Sequence, residues 1–211
     1  MDFGSIPRPA FGRAAQHQMN SAASTKPKKV RGLARYQQAA KTAAALLPEL
    51  PEPGEAIHVL MTGLFDLAQV ITSVARRTNC RRLRIATLCY SRRNAVEFHG
   101  LLESRAADPL SLTILVSSFF RSHNKELHEW FVEEIKPYPL ARLAAARSHC
   151  KVACFDLGEG DGLVFEGSAN LRTNGNREQL TVIRDRGIHD WHAEWIDTLV
   201  NADGKSESGR R

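Results

Sequence analysis

The stretch from Ser148 to Glu178 constrains this chain more than any other. It reads Ser-His-Cys-Lys-Val-Ala-Cys-Phe-Asp at 148–156, then Gly-Ser-Ala-Asn at 167–170 after a glycine-rich turn, with a glutamate at 178. The apolar first part predicts a strand over 149–156, paired across the turn with a second over 162–166. In a strand, side chains two apart leave the same face, so His149 and Lys151 are expected side by side. Val152, Cys154 and Asp156 alternate with Lys151, Ala153 and Phe155, and two registers compete for the core. An imidazole and an ammonium are costly to bury without a partner. The use they share is an anion, with a phosphate oxygen beside Lys151 and the imidazole aimed at phosphorus.

Around this stretch, strand-like runs alternate with helical ones, which predicts a layered α/β fold. Residues 57–62, 83–90, 110–117 and 179–184 read as strands. Asp66 is placed to cap a helix with Leu67, Val70, Ile71 and Val74 on its apolar face. Ser91 or Asn94 starts a helix over 95–106 that buries Val96, Phe98, Leu101 and Leu102. A further helix covers 126–136, and 140–146 leads into the 149–156 strand. The last helix, 187–200, carries Trp191, Trp195 and Leu199 at spacing four, a stripe to set against the sheet, with His189 and His192 on the surface.

Charge separates the ends of the chain from its middle. Residues 1–41 hold eight Lys or Arg and one acid, whereas 42–211 hold 21 bases and 22 acids. Residues 1–54 therefore read as a basic, largely disordered arm with an Ala-rich helix over 33–47, attracted to nucleic acid or an anionic surface. The folded domain is expected over 55–200 and a disordered tail over 201–211. No apolar run is long enough to cross a bilayer. The first residues lack the apolar segment of an export signal, so a cytoplasmic location is expected, with Cys80, Cys89, Cys150 and Cys154 reduced.

His149-x-Lys151-x4-Asp156, followed by Gly167-Ser168-x-Asn170 and Glu178, resembles the active-site motif of the phospholipase D superfamily. Four separated elements arrive in order, and the ten residues between Asp156 and Gly167 make a longer hairpin than is usual there. The resemblance implies a layered α/β sandwich with a mixed central sheet, and a metal-independent phosphodiesterase needing no cofactor. It implies that His149 attacks phosphorus to form a phosphohistidine, that Lys151 and Asn170 hold phosphate oxygens, and that Glu178 accepts a hydrogen bond from the His149 ring. Ser168 and Arg172 are expected to contact substrate, and Asp156 to be structural.

A complete site of this kind uses two histidines, and the chain has one clear motif. A homodimer, with the second imidazole from another copy across a two-fold axis, is the simplest completion. The degenerate run His123-Asn124-Lys125 stands where a helix begins and is followed by Trp130 rather than an aspartate. Nucleic acid is the favoured substrate because of the basic arm. Phospholipid hydrolysis or phosphatidyl transfer is the alternative enzyme, and a phosphate-gripping module without turnover is the alternative outside enzymes.

Overall fold

The computed structural model describes residues 29–34, 43, 46–61, 66–172 and 176–208, without the side chains of 29–34 and 205–208. Eight strands form one mixed sheet in the order β1-β2-β8-β7-β6-β3-β4-β5. They are β1 (Lys29–Ala34), β2 (Glu55–Met61), β3 (Arg82–Thr87), β4 (Ser111–Ser117), β5 (Ala141–Ala146), β6 (Val152–Gly158), β7 (Asp161–Gly167) and β8 (Glu178–Arg184). β3, β4 and β5 run parallel, while β6, β7, β8 and β2 alternate in direction. A layered α/β architecture with a mixed sheet is therefore what the chain adopts.

The helices are α1 (Leu67–Arg77), α2 (Arg92–Ser104), α3 (Ser118–His123), α4 (Lys125–Ile135) and α5 (Arg186–Ser208). The competition between registers in the 152–156 segment ends with both faces buried. Ala153 and Phe155 join the core shared with α1, α2 and α4, while Val152 and Cys154 join the core beneath α5. Burial pushes the thiols of Cys80 and Cys154 up to about 12, so both stay protonated. The β6–β7 turn holds Gly158, Glu159 and Gly160 at positive φ, and glycine at two of these three positions carries no Cβ to resist it.

Several expected elements are shifted or replaced. Residues 29–34 form an edge strand, not disordered arm, and this displaces the start of the expected 33–47 helix; residues 35–42 and 44–45 of that helix lie outside the described residues. Helix α2 starts at its Ser91 cap, whose hydroxyl accepts the Asn94 N–H, and leaves Val96 56% exposed. Helix α5 continues through Ser208, so 201–208 is helix rather than tail.

The buried face of α5 also differs from the tryptophan stripe. Trp191 is 63% exposed, and His189, His192, Ala193, Ile196 and Val200 are buried instead. The rotation follows from polar anchors that a hydrophobic pattern does not register. Arg84, buried on β3, makes a two-pronged bond to Asp197 at 2.8 Å on each arm. Asp203 accepts from Arg121 at 3.1 Å and from the Ala145 N–H at 2.9 Å. Removing one partner of a buried charge costs several kcal/mol, so such anchors outweigh the placement of a single indole.

Candidate active site

The ends of β2, β3, β4, β5 and β7 and the starts of β6 and β8 all meet at one edge of the sheet. Ligands of open α/β sheets gather at the carboxyl ends of the parallel strands, and here β3, β4 and β5 supply them. The segment 147–151 leaves the top of β5 and must pass β4 and β3 to enter β6. At one strand spacing per step that crossing is about 14 Å. Six extended steps from Ala146 to Val152 reach about 20 Å, so the segment spans the gap with room for the tight turn in which the Ser148 N–H donates to the Ala146 carbonyl at 2.9 Å.

This geometry corrects the predicted 149–156 strand: β6 begins at Val152, and His149 and Lys151 stand on the crossing segment ahead of it. His149 and Cys150 are exposed and Lys151 is half-buried, its ammonium donating to the His149 carbonyl at 3.0 Å. No described residue hydrogen-bonds the His149 ring. The imidazole is thus displayed over the edge of the sheet, free on both nitrogens.

The Gly-Ser-Ala-Asn loop is held beside Lys151 by backbone bonds, the Gly167 N–H donating to the Lys151 carbonyl at 3.3 Å. The Leu171 N–H donates to Thr87 Oγ1 at 3.4 Å, and the Leu171 carbonyl accepts from the Ala68 N–H at 3.3 Å, tying the loop to β3 and α1. Gly167 passes so close to β8 that a Cβ there would lie 2.1 Å from the Gln179 carbonyl oxygen. Only glycine permits that approach. Ser168 then bridges the start of β8: its N–H donates to the Gln179 carbonyl, its hydroxyl accepts from the Gln179 N–H at 3.0 Å, and the same hydroxyl donates to the Glu178 carboxylate.

Glu178 therefore receives Ser168, and it does not receive the His149 ring. Asn170 presents a buried carboxamide oxygen with no hydrogen-bond partner. Leaving such a group unpaired costs about 1–3 kcal/mol; the carboxamide's NH2 is the part of the group able to donate to a phosphate oxygen. Arg172 is exposed beside the loop. Asp156 lies at the opposite end of the sheet, where its Oδ1 accepts the Gly158 N–H at 3.1 Å and faces Arg186 at 3.6 Å.

An open depression of about 500 Å³ adjoins Lys151 and Ser168 on the α5 side of the sheet. Glu166 forms part of its wall, and the His192 ring donates from Nε2 to the Glu166 carboxylate. Trp195 donates its indole N–H to His192 Nδ1 at 3.0 Å, which fixes the tautomer with the proton on Nε2. The bond from His192 holds the Glu166 carboxyl below its usual range. Sequence reasoning missed this pair because it set His192 on the surface; the structure buries it.

Charge at this edge is one-sided. Arg92, Arg93, Arg147, Lys151, Arg172 and Arg177 stand there against Asp66, Glu166 and Glu178, besides the paired Arg121 and Asp203. Arg92 lies over the Trp130 ring at 4.0 Å, and none of the six has an acidic partner among the described residues. Arg93 and Arg147 were not singled out in the sequence, since nothing local marks them; their position at the carboxyl ends of β3 and β5 does. His123 is exposed, its ring stacked on Phe119, and Lys125 pairs with Glu129 at 3.6 Å.

No protein-family model and no curated protein matches the chain. Among solved structures it is similar to the archaeal chromatin protein TrmBL2, a DNA-binding protein, at 12% identity and a TM-score of 0.47 over 67% of this chain and 50% of that one. It is similar to phosphatidylserine synthase of Haemophilus influenzae at 14% identity and a TM-score of 0.48, over 70% of this chain and 39% of that one. It is also similar to yeast tyrosyl-DNA phosphodiesterase at 14% identity and a TM-score of 0.40, over 60% of this chain and 31% of that one. The synthase and the phosphodiesterase are members of the phospholipase D superfamily. This chain spans half or less of the length of each.

Proposed function

We propose that this chain is a phosphodiesterase of the phospholipase D type acting on nucleic acid, with His149 as the nucleophile. The observation that carries the reading is the edge itself, where an unengaged imidazole stands among six cations without acidic partners. An uncompensated cluster of like charges repels itself, and a phosphodiester backbone relieves it.

In this reading the His149 imidazole attacks phosphorus, the phosphorus–oxygen bond to the leaving group breaks, and a protonated histidine of a second copy supplies the proton to the departing alkoxide. Water then attacks the phosphohistidine and releases it, the second histidine taking the water proton back. Lys151 and Arg172 neutralise the charge on the non-bridging oxygens, which is where the transition state gains most over the ground state. Asn170 aids in holding the phosphate. Glu178 acts through the bridge that Ser168 makes to it, so Ser168 keeps the carboxylate fixed beside the site in addition to any contact with substrate. The two equivalent histidines differ in protonation at any moment, one neutral and one charged. The homodimer belongs to the proposal because one copy supplies one such histidine. Among the described residues no helix is long and apolar enough to cross a membrane.

The test uses the full chain in EDTA with bis(p-nitrophenyl) phosphate and supercoiled plasmid. Both should be cleaved, and His149→Ala should lower the rate by roughly a thousand-fold or more while DNA binding persists. A phosphohistidine on His149 should be trapped by acid-free quenching and mass spectrometry. Undiminished cleavage by the alanine variant would end the assignment; cleavage of a phosphatidyl substrate alone would move it to lipid. An active species that sediments strictly as a monomer would remove the second copy.

A further inference from the structure

Phe119 is 67% exposed, more than any other large apolar side chain described. Isolated exposed apolar groups are common and need no explanation. Three observations set this one apart.

The ring is held rigidly. It stacks on His123 with centroids 3.9 Å apart and planes 29° apart. A carbonyl only accepts, so His123 Nδ1 carries the proton it donates to the Phe119 carbonyl at 2.9 Å. The short helix α3 that carries both rings is bolted down on its other side, where Phe120 packs on Tyr90 at 4.8 Å and Arg121 meets Asp203 at 3.1 Å. The side chain is therefore presented outward by a fixed support, one that spends no further entropy on binding.

The ring also has a definite place. Helix α3 begins at the end of β4, where Ser117 pairs with Ala146, the residue from which the segment carrying His149 departs. Two strand spacings, about 10 Å, separate that strand end from the start of β6 and Lys151. Finally, Arg147 and Arg93 lie on the same edge and have no acidic partner among the described residues.

A flat aromatic face beside unpaired cations suits one kind of ligand, a polyanion that carries planar groups able to leave their own stack. The geometry points to Phe119, backed by His123, as a stacking platform for an unpaired base, so that the strand entering the site is single-stranded nucleic acid. This rests on the reading of the edge as a phosphodiester site and adds what lies next to the diester. A duplex keeps its bases paired and offers the ring no face, so the platform favours unpaired strands, loops and ends, including the underwound stretches of a supercoiled plasmid, over intact duplex.

Fluorescence anisotropy with a short labelled single-stranded oligonucleotide tests this, using the full chain on the His149→Ala background so that nothing is cut. A second oligomer of the same length keeps the sugar-phosphate backbone but lacks bases. Phe119→Ala should bind the base-bearing strand roughly ten-fold more weakly and the baseless strand as before, and Phe119→Trp should restore binding. Equal affinity of the alanine variant and its parent for the base-bearing strand would overturn the platform. An equal loss on both oligomers would overturn it too, as would a changed sedimentation coefficient, since the ring would then be packing between copies. Because these titrations read binding and not turnover, a wild type that cleaves no diester would sink the proposed function and leave this comparison to be decided on its own.

Discussion

The two ends of the sheet use the same charged residue types to opposite purpose. At the end remote from His149, the arginines Arg81, Arg82, Arg105, Arg184 and Arg186 stand among Asp108, Asp156, Glu159, Asp161, Asp185 and Asp190. Arg184 meets Asp161 at 2.6 Å, Arg105 meets Asp108 at 2.6 Å, and Arg186 meets Asp190 at 2.8 Å. At the His149 end, besides the Arg121–Asp203 pair, six cations face three acids, of which Glu166 is bonded to His192 and Asp66 is buried and engaged by the Asn94 side chain at 2.7 Å. At the remote end three of the five arginines are paired, Arg81 and Arg82 being the exceptions. At the other end none of the six cations has an acidic partner among the described residues, and that difference distinguishes the edge proposed as active.

Three measurements test the difference between the two ends of the sheet. The largest effect is expected from neutralising the active edge: Arg147→Ala, Arg172→Ala and Arg177→Ala together should weaken oligonucleotide binding by roughly two orders of magnitude at low salt and make the log–log salt slope shallower by about 2. Arg81→Ala with Arg82→Ala, at the remote end, should leave both within about a factor of two. Equal losses from the two sets would erase the distinction.

Next comes the backbone support of the site. Gly167→Ala places a methyl against the Gln179 carbonyl and should cost about 2–3 kcal/mol in chemical denaturation. A neutral result would mean that the loop and β8 are looser than their contacts indicate.

The smallest effect belongs to the remote end. The hydrogen bonds from Arg184 hold the Asp161 carboxyl below its ordinary value. A carboxyl whose pKa is depressed on folding contributes stability that is fully present above the unfolded value, about 4, and is lost as pH falls through the depressed one. Asp161→Asn should therefore cost about 1 kcal/mol at neutral pH and flatten the acid limb of a stability–pH curve. An unchanged acid limb would show that the pairing there carries no weight.

Much of the frame was legible in the sequence because it rests on period and punctuation. The β2, β3, β4 and β8 strands, the Ser91 start of α2 and the hairpin between Asp156 and Gly162 all appear as apolar runs bounded by caps and glycines. The site was legible as a set of residue types at fixed spacings, and less so as geometry. A strand through His149 looks sound locally, and its failure comes from β5 lying three places from β6 in the sheet, so that 147–151 must bridge instead of pair. The stripe on α5 failed for a related reason: Arg84, Arg121 and Glu166, each more than 20 residues distant, choose which face turns inward.

Spacing along the chain records which atoms are available for chemistry: the His149-x-Lys151 pair, one Gly-Ser-x-Asn loop and a glutamate, in order. Only the packing of the sheet put the imidazole on a crossing segment over its edge, set Ser168 rather than His149 against Glu178, and brought Arg93, Arg147 and Phe119 to that edge. Local preferences act over a few residues and are written into sequence. Which strands become neighbours is settled by burying two faces of a sheet at once, and that depends on the whole chain.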